Sequence, residues 1–370
     1  MRVALDLRCL ETASGTRGIG RYARELARAC LAQAPSGWSF LGLSWSGLAT
    51  TLGLEDVRCP PPRRGIGWTD RWLLPPLFRK HEVDLYHSTA YALPRGRAAG
   101  VALVLTVHDL VADLHPRALS MRHRLALRRT FGSARAAHRV VAVSETTRRA
   151  LIARYPVQEE RVVTVPNGVA PAFGPAAQGS PGPSGFPRPF LLYVGGFDPL
   201  KNVPFLLRVL RRLQDAAPEM HLVVAGEEGP RRLEILRAAS DLGLTSRIHA
   251  PGFVSDEHLA SAYAEASAFV FPSLYEGFGL PPLEAMAAGC PVVSSPAGAL
   301  AEVLGEGAIL REPEDPEVWA RELLALYRDL SLRAACVRAG ASRAARFTWE
   351  ATARSTLDVY RQAREEAGHP

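Results

Sequence analysis

Along the whole chain, short apolar runs alternate with longer amphipathic segments, and few architectures accept that pattern. Runs such as Val3–Leu7, Ala102–Val107, Phe190–Val194 and Ala268–Phe271 lack the polar alternation of a strand with one wet face. They predict an α/β fold of parallel sheets covered by helices on both sides. In the first half, strands also read at Ser39–Ser44, Leu85–His87, Arg139–Val143 and Val162–Val165. Helices there read at Gly20–Ala34, Trp68–Lys80, Ser120–Ala137 and Glu145–Arg154. In the second half, strands read at His221–Ala225, Ile248–Ala250 and Val292–Ser294. Helices read at Val203–Ala217, Pro230–Leu242, Ser255–Glu265, Pro282–Ala288 and Pro316–Ala339.

Between the halves, Val169–Pro189 is rich in Pro, Gly, Ala and Ser and has no period, which predicts a linker. The expected organisation is two doubly wound, Rossmann-like domains facing across a cleft: 1–168, linker 169–189, then 190–346. A final amphipathic helix, 347–370, carries Trp349, Ala353, Leu357 and Tyr360 at helical spacing. A length of 370 residues suits two cores of this size.

No apolar run reaches the roughly 18 residues of a membrane span, and Met1–Leu10 reads as a strand rather than a leader. Five scattered cysteines predict neither a disulfide framework nor a metal site, and suggest a reducing, cytoplasmic setting. The net charge of +7 hides an asymmetry. Residues 1–168 hold 25 Arg or Lys against 13 Asp or Glu, a balance of +12 that leaves −5 for the remainder. A basic first half suits an anionic partner such as a membrane surface, or merely reflects an Arg-rich composition. Arg124, Arg128, Arg135 and Arg139 read as one helical face shared with Phe131, able to rest on an anionic bilayer or simply to be solvated.

Four segments carry candidate chemistry. Pro272 to Pro282 places Glu276 before a Gly277-Phe278-Gly279 loop and a prolyl helix start, with Glu284 eight positions on. A helix N-terminus presents unpaired amides that suit a phosphate, and the two carboxylates are acceptors for sugar hydroxyls. Tyr193 to Asn202 opens the second half with Gly195-Gly196 and with Lys201-Asn202. Lys occurs only at 80 and 201, and Asn only at 167 and 202. Lys201 can neutralise a diphosphate, and Asn202 reads as a helix cap. Thr106-Val107-His108-Asp109-Leu110 ends a buried strand, where His108 can meet a sugar hydroxyl or simply pack while Asp109 caps the next turn. Asp84 to Tyr91, with His87 and Tyr91, serves equally for an acceptor sugar or for ordinary loop packing.

Gly18-Ile19-Gly20-Arg21-Tyr22-Ala23 formally matches a dinucleotide fingerprint. The loop from Leu10 is too long for the tight turn of that motif, and no acid follows the second strand for a ribose. It reads instead as a mobile loop whose amides approach a ligand. There is no Asp-x-Asp pair or His/carboxylate cluster, so no metal or other cofactor is expected.

With these segments together, nearly the whole chain resembles the retaining GT-B glycosyltransferases of family four, the "glycosyl transferases group 1". The E-x7-E motif of that family corresponds to Glu276 and Glu284. The resemblance implies that Glu276 contacts the donor sugar, that Gly277, Phe278, Gly279 and Leu280 bring amides to sugar and phosphate, and that Glu284 holds the ribose. It makes Lys201 the diphosphate-binding lysine and His108 the histidine near the donor sugar's C6 hydroxyl. Gly18 falls in the glycine loop, Gly252-Phe253-Val254 at the nucleobase, and the final helix crosses back onto the first domain. Many members have an Arg where Gly196 stands, and Arg17 or Arg21 is then expected to supply the second cation on closure.

The combined motifs look most like a mannosyltransferase-type subgroup of surface-polysaccharide enzymes. The resemblance therefore implies metal-independent transfer of a hexose, with mannose from GDP-mannose as the first expectation, to a saccharide or lipid-linked acceptor. Arg17, His87, Tyr91 and Asp109 are the acceptor-side candidates. The expected partners include no nucleic acid, and the expected place is the cytoplasm, with peripheral contact at the inner face of the membrane. The competing expectations are another GT-B reaction, such as epimerisation or phosphorolysis, and a non-catalytic nucleotide-sugar-binding scaffold.

Overall fold

A computed structural model describes residues 1–61, 66–94, 100–174 and 184–368. The chain divides into two compact units, Met1–Gly168 with Thr348–Pro370, and Val169–Phe347.

The first unit contains β1 (Arg2–Asp6), α1 (Gly18–Gln33), β2 (Ser39–Ser44), β3 (Glu55–Arg58), α2 (Ile66–Lys80), β4 (Leu85–Ser88) and β5 (Ala102–Val107). It continues with α3 (Val111–Leu114), α4 (Met121–Ser133), β6 (Arg139–Ala142), α5 (Glu145–Arg154) and β7 (Val162–Thr164). Seven parallel strands lie in the order β3-β2-β1-β4-β5-β6-β7. All six residues of β5 are buried, as an apolar strand covered on both faces requires. Helix starts follow from capping chemistry: the Ser120 and Ser144 side chains accept from the amides of His123 and Thr147, opening α4 and α5.

The second unit contains β8 (Phe190–Val194), α6 (Val203–Arg212), β9 (His221–Ala225), α7 (Pro230–Asp241), β10 (Ile248–Gly252), α8 (Asp256–Glu265) and β11 (Ala268–Phe271). It ends with α9 (Leu280–Ala287), β12 (Val292–Ser294), α10 (Leu300–Leu304), β13 (Ile309–Leu310), α11 (Pro316–Arg328) and α12 (Leu330–Ala344). Six parallel strands lie in the order β10-β9-β8-β11-β12-β13. Both units are therefore Rossmann-like, α/β and doubly wound. The last helix, α13 (Trp349–Glu366), belongs to the first unit and packs on α1, β4, β5 and β6. It buries Trp349, Ala353, Leu357 and Tyr360, the stripe expected from spacing.

Several expectations need correcting. The single helix over Pro316–Ala339 is two, because Asp329 stops the first and its carboxylate caps the second through the amides of Ser331 and Leu332. The arginine stripe is not one face. The helix ends at Ser133, Arg139 lies in β6 bonded to Gln362 and Glu366, and Phe131 is buried. Residues 175–183 of the expected linker lie outside the described residues, and its described start is packed rather than free. The Val169 amide donates to the Phe347 carbonyl, and the buried Phe173 ring meets Tyr263 edge-on at 5.6 Å. The strand β3 escapes a hydropathy reading because Val57 is its one buried residue. Among the described residues, no helix is long and apolar enough to cross a membrane.

Candidate active site

In a doubly wound sheet the ligand crevice lies beyond the carboxyl ends of the strands, where the winding reverses. In the second unit that point is between β8 and β11, and the loops leaving these two strands carry Lys201 and Glu276. After β8 the backbone makes two close approaches. The Gly195 amide donates to the Ala225 carbonyl, and a Cβ on Gly226 would sit 2.1 Å from the Gly195 oxygen. The fully buried Tyr193 donates its hydroxyl to the Gly196 carbonyl at 2.6 Å. Burial, with Glu276 and Asp198 nearby, holds that phenol well above its usual pKa. At Gly196 an added Cβ would meet only Asp198 Oδ2, at 3.4 Å, so space does not demand glycine there.

A 3-10 turn, Pro199–Lys201, follows, capped by the Asp198 carboxylate on the Leu200 amide. Asn202 stands at the expected N-cap position of α6, but its φ is 52° and its side chain makes no capping bond. The Leu200 carbonyl accepts from the Leu274 amide at 2.7 Å, tying the turn to the loop after β11. Across that tie Lys201 Nζ donates to Glu276 Oε1 at 2.6 Å, with both side chains only part-exposed, 23% and 13%. The ammonium also lies 5.8 Å from the centre of the Phe271 ring.

Glycines shape the Glu276 loop for steric reasons. Gly298 has φ of 64°, and a Cβ there would stand 2.2 Å from the Glu276 carbonyl oxygen, which also accepts from the Ala299 amide. Gly279 has φ of 102°, a left-handed conformation that L side chains rarely adopt, and precedes α9, whose first turn holds Pro281 and Pro282. Gly277 and Leu280 are buried, and Phe278 packs edge-on against Phe347 at 5.9 Å. Glu284, one turn into α9, is 2% exposed and accepts from the Tyr263 hydroxyl at 3.4 Å. Gly252 ends β10 with φ of 84° beside Glu228. Phe253 is 63% exposed, and Val254 is half-buried.

In the first unit the winding reverses between β1 and β4. Gly15 and Gly20, read as parts of a mobile loop, are packing glycines. An added Cβ would meet the Leu10 oxygen at 2.1 Å from Gly15 and the Gly15 oxygen at 2.3 Å from Gly20. Gly18 is exposed at the first position of α1, and Arg17 before it is exposed too. His108, half-buried after β5, bonds through Nε2 to the Thr89 carbonyl at 2.7 Å. Burial pushes its pKa down to about 4, against the upward pull of that bond. Asp109 accepts from the Val111 amide, the local capping role.

His87 is not available to an acceptor sugar. It is fully buried, with Nδ1 bonded to the Tyr360 hydroxyl at 2.6 Å and Nε2 to the Thr106 hydroxyl at 2.8 Å. Burial and the nearby His108 lower its pKa to about 3. Tyr91 is half-buried with its ring 5.7 Å from the Arg8 guanidinium.

Sequence reasoning missed the most heavily charged feature here. Arg8, 1% exposed, bonds both Asp6 and Asp70, each 0% exposed. Its pKa is pulled down by burial and raised further by the two carboxylates, with a net rise. The available signal was the pair of charges, Asp6 and Arg8, closing and following the apolar run that begins at Val3.

Residues 183–343 match the family profile "Glycosyl transferases group 1" and residues 16–173 match "Glycosyltransferase Family 4". The chain is similar to O-antigen chain mannosyltransferase B of Escherichia coli, 29% identical over 321 residues, which cover 84% of this chain and 80% of that one. It is 32% identical over 332 residues to D-inositol 3-phosphate glycosyltransferase of Kineococcus radiotolerans, covering 80% of this chain and 69% of that one. Its fold is similar to the crystal structure of Anabaena Alr3699/HepE in complex with UDP and glucose. The TM-score is 0.73 at 18% identity, covering 98% of this chain and 99% of that one.

Proposed function

The chain belongs to glycosyltransferase family 4, and on that premise we propose that it transfers a hexose from a nucleotide diphosphate sugar to a saccharide or lipid-linked acceptor, retaining the anomeric configuration and using no metal. The observation that carries this reading is the Lys201–Glu276 pair at the winding reversal of the second unit. In the reaction Lys201 and the first amides of α9 take the charge of the departing nucleotide diphosphate, which is the role a metal plays elsewhere. Glu276 accepts from donor-sugar hydroxyls, and Glu284 from the ribose. Glu276 serves as a hydroxyl acceptor, and no residue is assigned as a covalent nucleophile. The acceptor oxygen attacks C1 on the face from which the phosphate leaves. The C1–O bond to phosphate breaks, and the acceptor proton passes to that phosphate oxygen. His108 contributes a contact to the donor sugar.

Mannose from GDP-mannose is the preferred donor. The E. coli relative, a mannosyltransferase by name, supports it, while the inositol-phosphate relative and the UDP-bound neighbour make other donors the alternatives. Exposed Met121 and Leu125 among the arginines of α4 support a lipid-linked acceptor met at the cytoplasmic face of an anionic membrane.

The test is a thermal-shift panel of GDP-, UDP-, dTDP- and ADP-sugars, followed by transfer from the best binder and NMR of the product's anomeric centre. A donor at about 100 times its Kd raises stability by ~2.7 kcal/mol, and the product keeps the donor's configuration. No shift with any nucleotide, or sugar phosphate made from oligosaccharide and phosphate alone, overturns the reading.

A further inference from the structure

At the winding reversal between β1 and β4, where a doubly wound sheet would lodge a ligand, the end of β1 carries a buried cluster of the protein's own charges. Arg8 Nε and one terminal nitrogen hold the two oxygens of Asp6 at 2.8 and 2.6 Å. Its two terminal nitrogens hold Asp70 at 2.7 and 2.8 Å. Two carboxylates against one guanidinium leave a net negative charge, compensated in part by the Tyr86 hydroxyl on Asp6 at 2.8 Å. Burying three ions is a poor route to stability compared with packing apolar side chains of the same volume, so the cluster calls for another explanation.

That explanation lies in what the cluster touches next. The Asp6 carbonyl accepts from the Thr89 hydroxyl at 2.5 Å, and the Thr89 carbonyl meets His108 Nε2 at 2.7 Å. A carbonyl oxygen only accepts, so this contact requires a proton on Nε2 and leaves Nδ1 as the ring's acceptor atom. The Tyr22 ring stands edge-on to the imidazole at 4.8 Å and 85°, fixing its plane. Thr89 thus joins the main chain of Asp6, whose carboxylate anchors the ion cluster, to the imidazole that follows β5.

We propose that the Asp6–Arg8–Asp70 cluster, acting through Thr89, is a positioning device that holds His108 as its Nε2-protonated tautomer, with Nδ1 presented as an acceptor for a donor-sugar hydroxyl. This rests on the reading of His108 as a donor-sugar contact. The burial that lowers the His108 pKa works with the device, because it keeps the ring neutral and Nδ1 unprotonated at neutral pH.

The test uses the full chain with 15N-labelled histidine, the His108 ring signals being assigned by their loss in His108→Gln. Thr89→Val removes the hydroxyl at nearly constant volume, Thr89→Ser returns it, and Asp70→Asn neutralises one arm of the cluster. The Val variant should fold with a near-native melting temperature, show a mixed His108 tautomer, and lose about 10- to 100-fold in kcat, with donor KM changing much less. The Ser variant should recover both readouts, and Asp70→Asn should move both the same way. A folded Thr89→Val with native His108 ring shifts and native kcat overturns the positioning, even if the cluster variants fail to fold. If His108→Gln transfers normally while Thr89→Val still disturbs the ring signals, the positioning stands and the assigned role of His108 falls.

Discussion

Lys201 and Glu276 are 75 positions apart in the chain and 2.6 Å apart at their charged atoms. Each side chain is compensated by the other, and under the proposed function a diphosphate and a sugar would compete with the pair for both partners. Lys201→Ala should lower kcat/KM by at least about 30-fold, equivalent to ~2 kcal/mol of transition-state stabilisation. Near-normal turnover in that variant would remove Lys201 from the diphosphate. The carbonyl of Glu276 is as constrained as its carboxylate. Gly298→Ala would place a methyl 2.2 Å from that oxygen at a φ of 64°. It should lower the melting temperature of the second unit and raise donor KM, since the loop must shift by most of an ångström or more to admit it. Glu276, Glu284 and Lys201 were all legible as candidates from residue type and loop chemistry. The pairing was not, because nothing local to either segment encodes the other.

At the scale of elements, most helices and strands were read correctly because hydrophobic period and capping residues are local signals. The misses have local causes too: β3 shows one buried side chain, and the break between α11 and α12 is a single capping aspartate. The helix α4 carries a functional expectation. No acidic residue occurs from 114 to 144, and Met121 and Leu125, one turn apart, are 67% and 49% exposed. Arginines near an anionic surface contribute about 1 kcal/mol each, screened by salt. The protein should sediment with phosphatidylglycerol vesicles at low salt and detach at high salt. Met121→Ser with Leu125→Ser should weaken it further. Equal binding to neutral phosphatidylcholine vesicles, or none to either, would dismiss the surface.

At the scale of the molecule, the buried chain Tyr360–His87–Thr106–Tyr22 ties the last helix to the first. His87 and His108 have folded pKa values of about 3 and about 4, below the ordinary 6.5. Between these limits the unfolded chain binds more protons, so their contribution is complete above pH ~6.5 and is lost as pH falls towards 4. The denaturation midpoint of the first unit should therefore drop between pH 7 and pH 4.5, and His87→Gln should flatten that slope; an unchanged slope would exclude His87 as its source. By itself the sequence determined the α/β class, the two sheets, the prolyl helix start after Gly279 and the candidate carboxylates, all written in short-range period and turn chemistry. Only the tertiary structure decided that Arg8 is a buried ion between two aspartates, that His87 is core, and that Lys201 holds Glu276. Burial and pairing depend on contacts between distant segments, and desolvation is what turns an ordinary charge or imidazole into a constrained one.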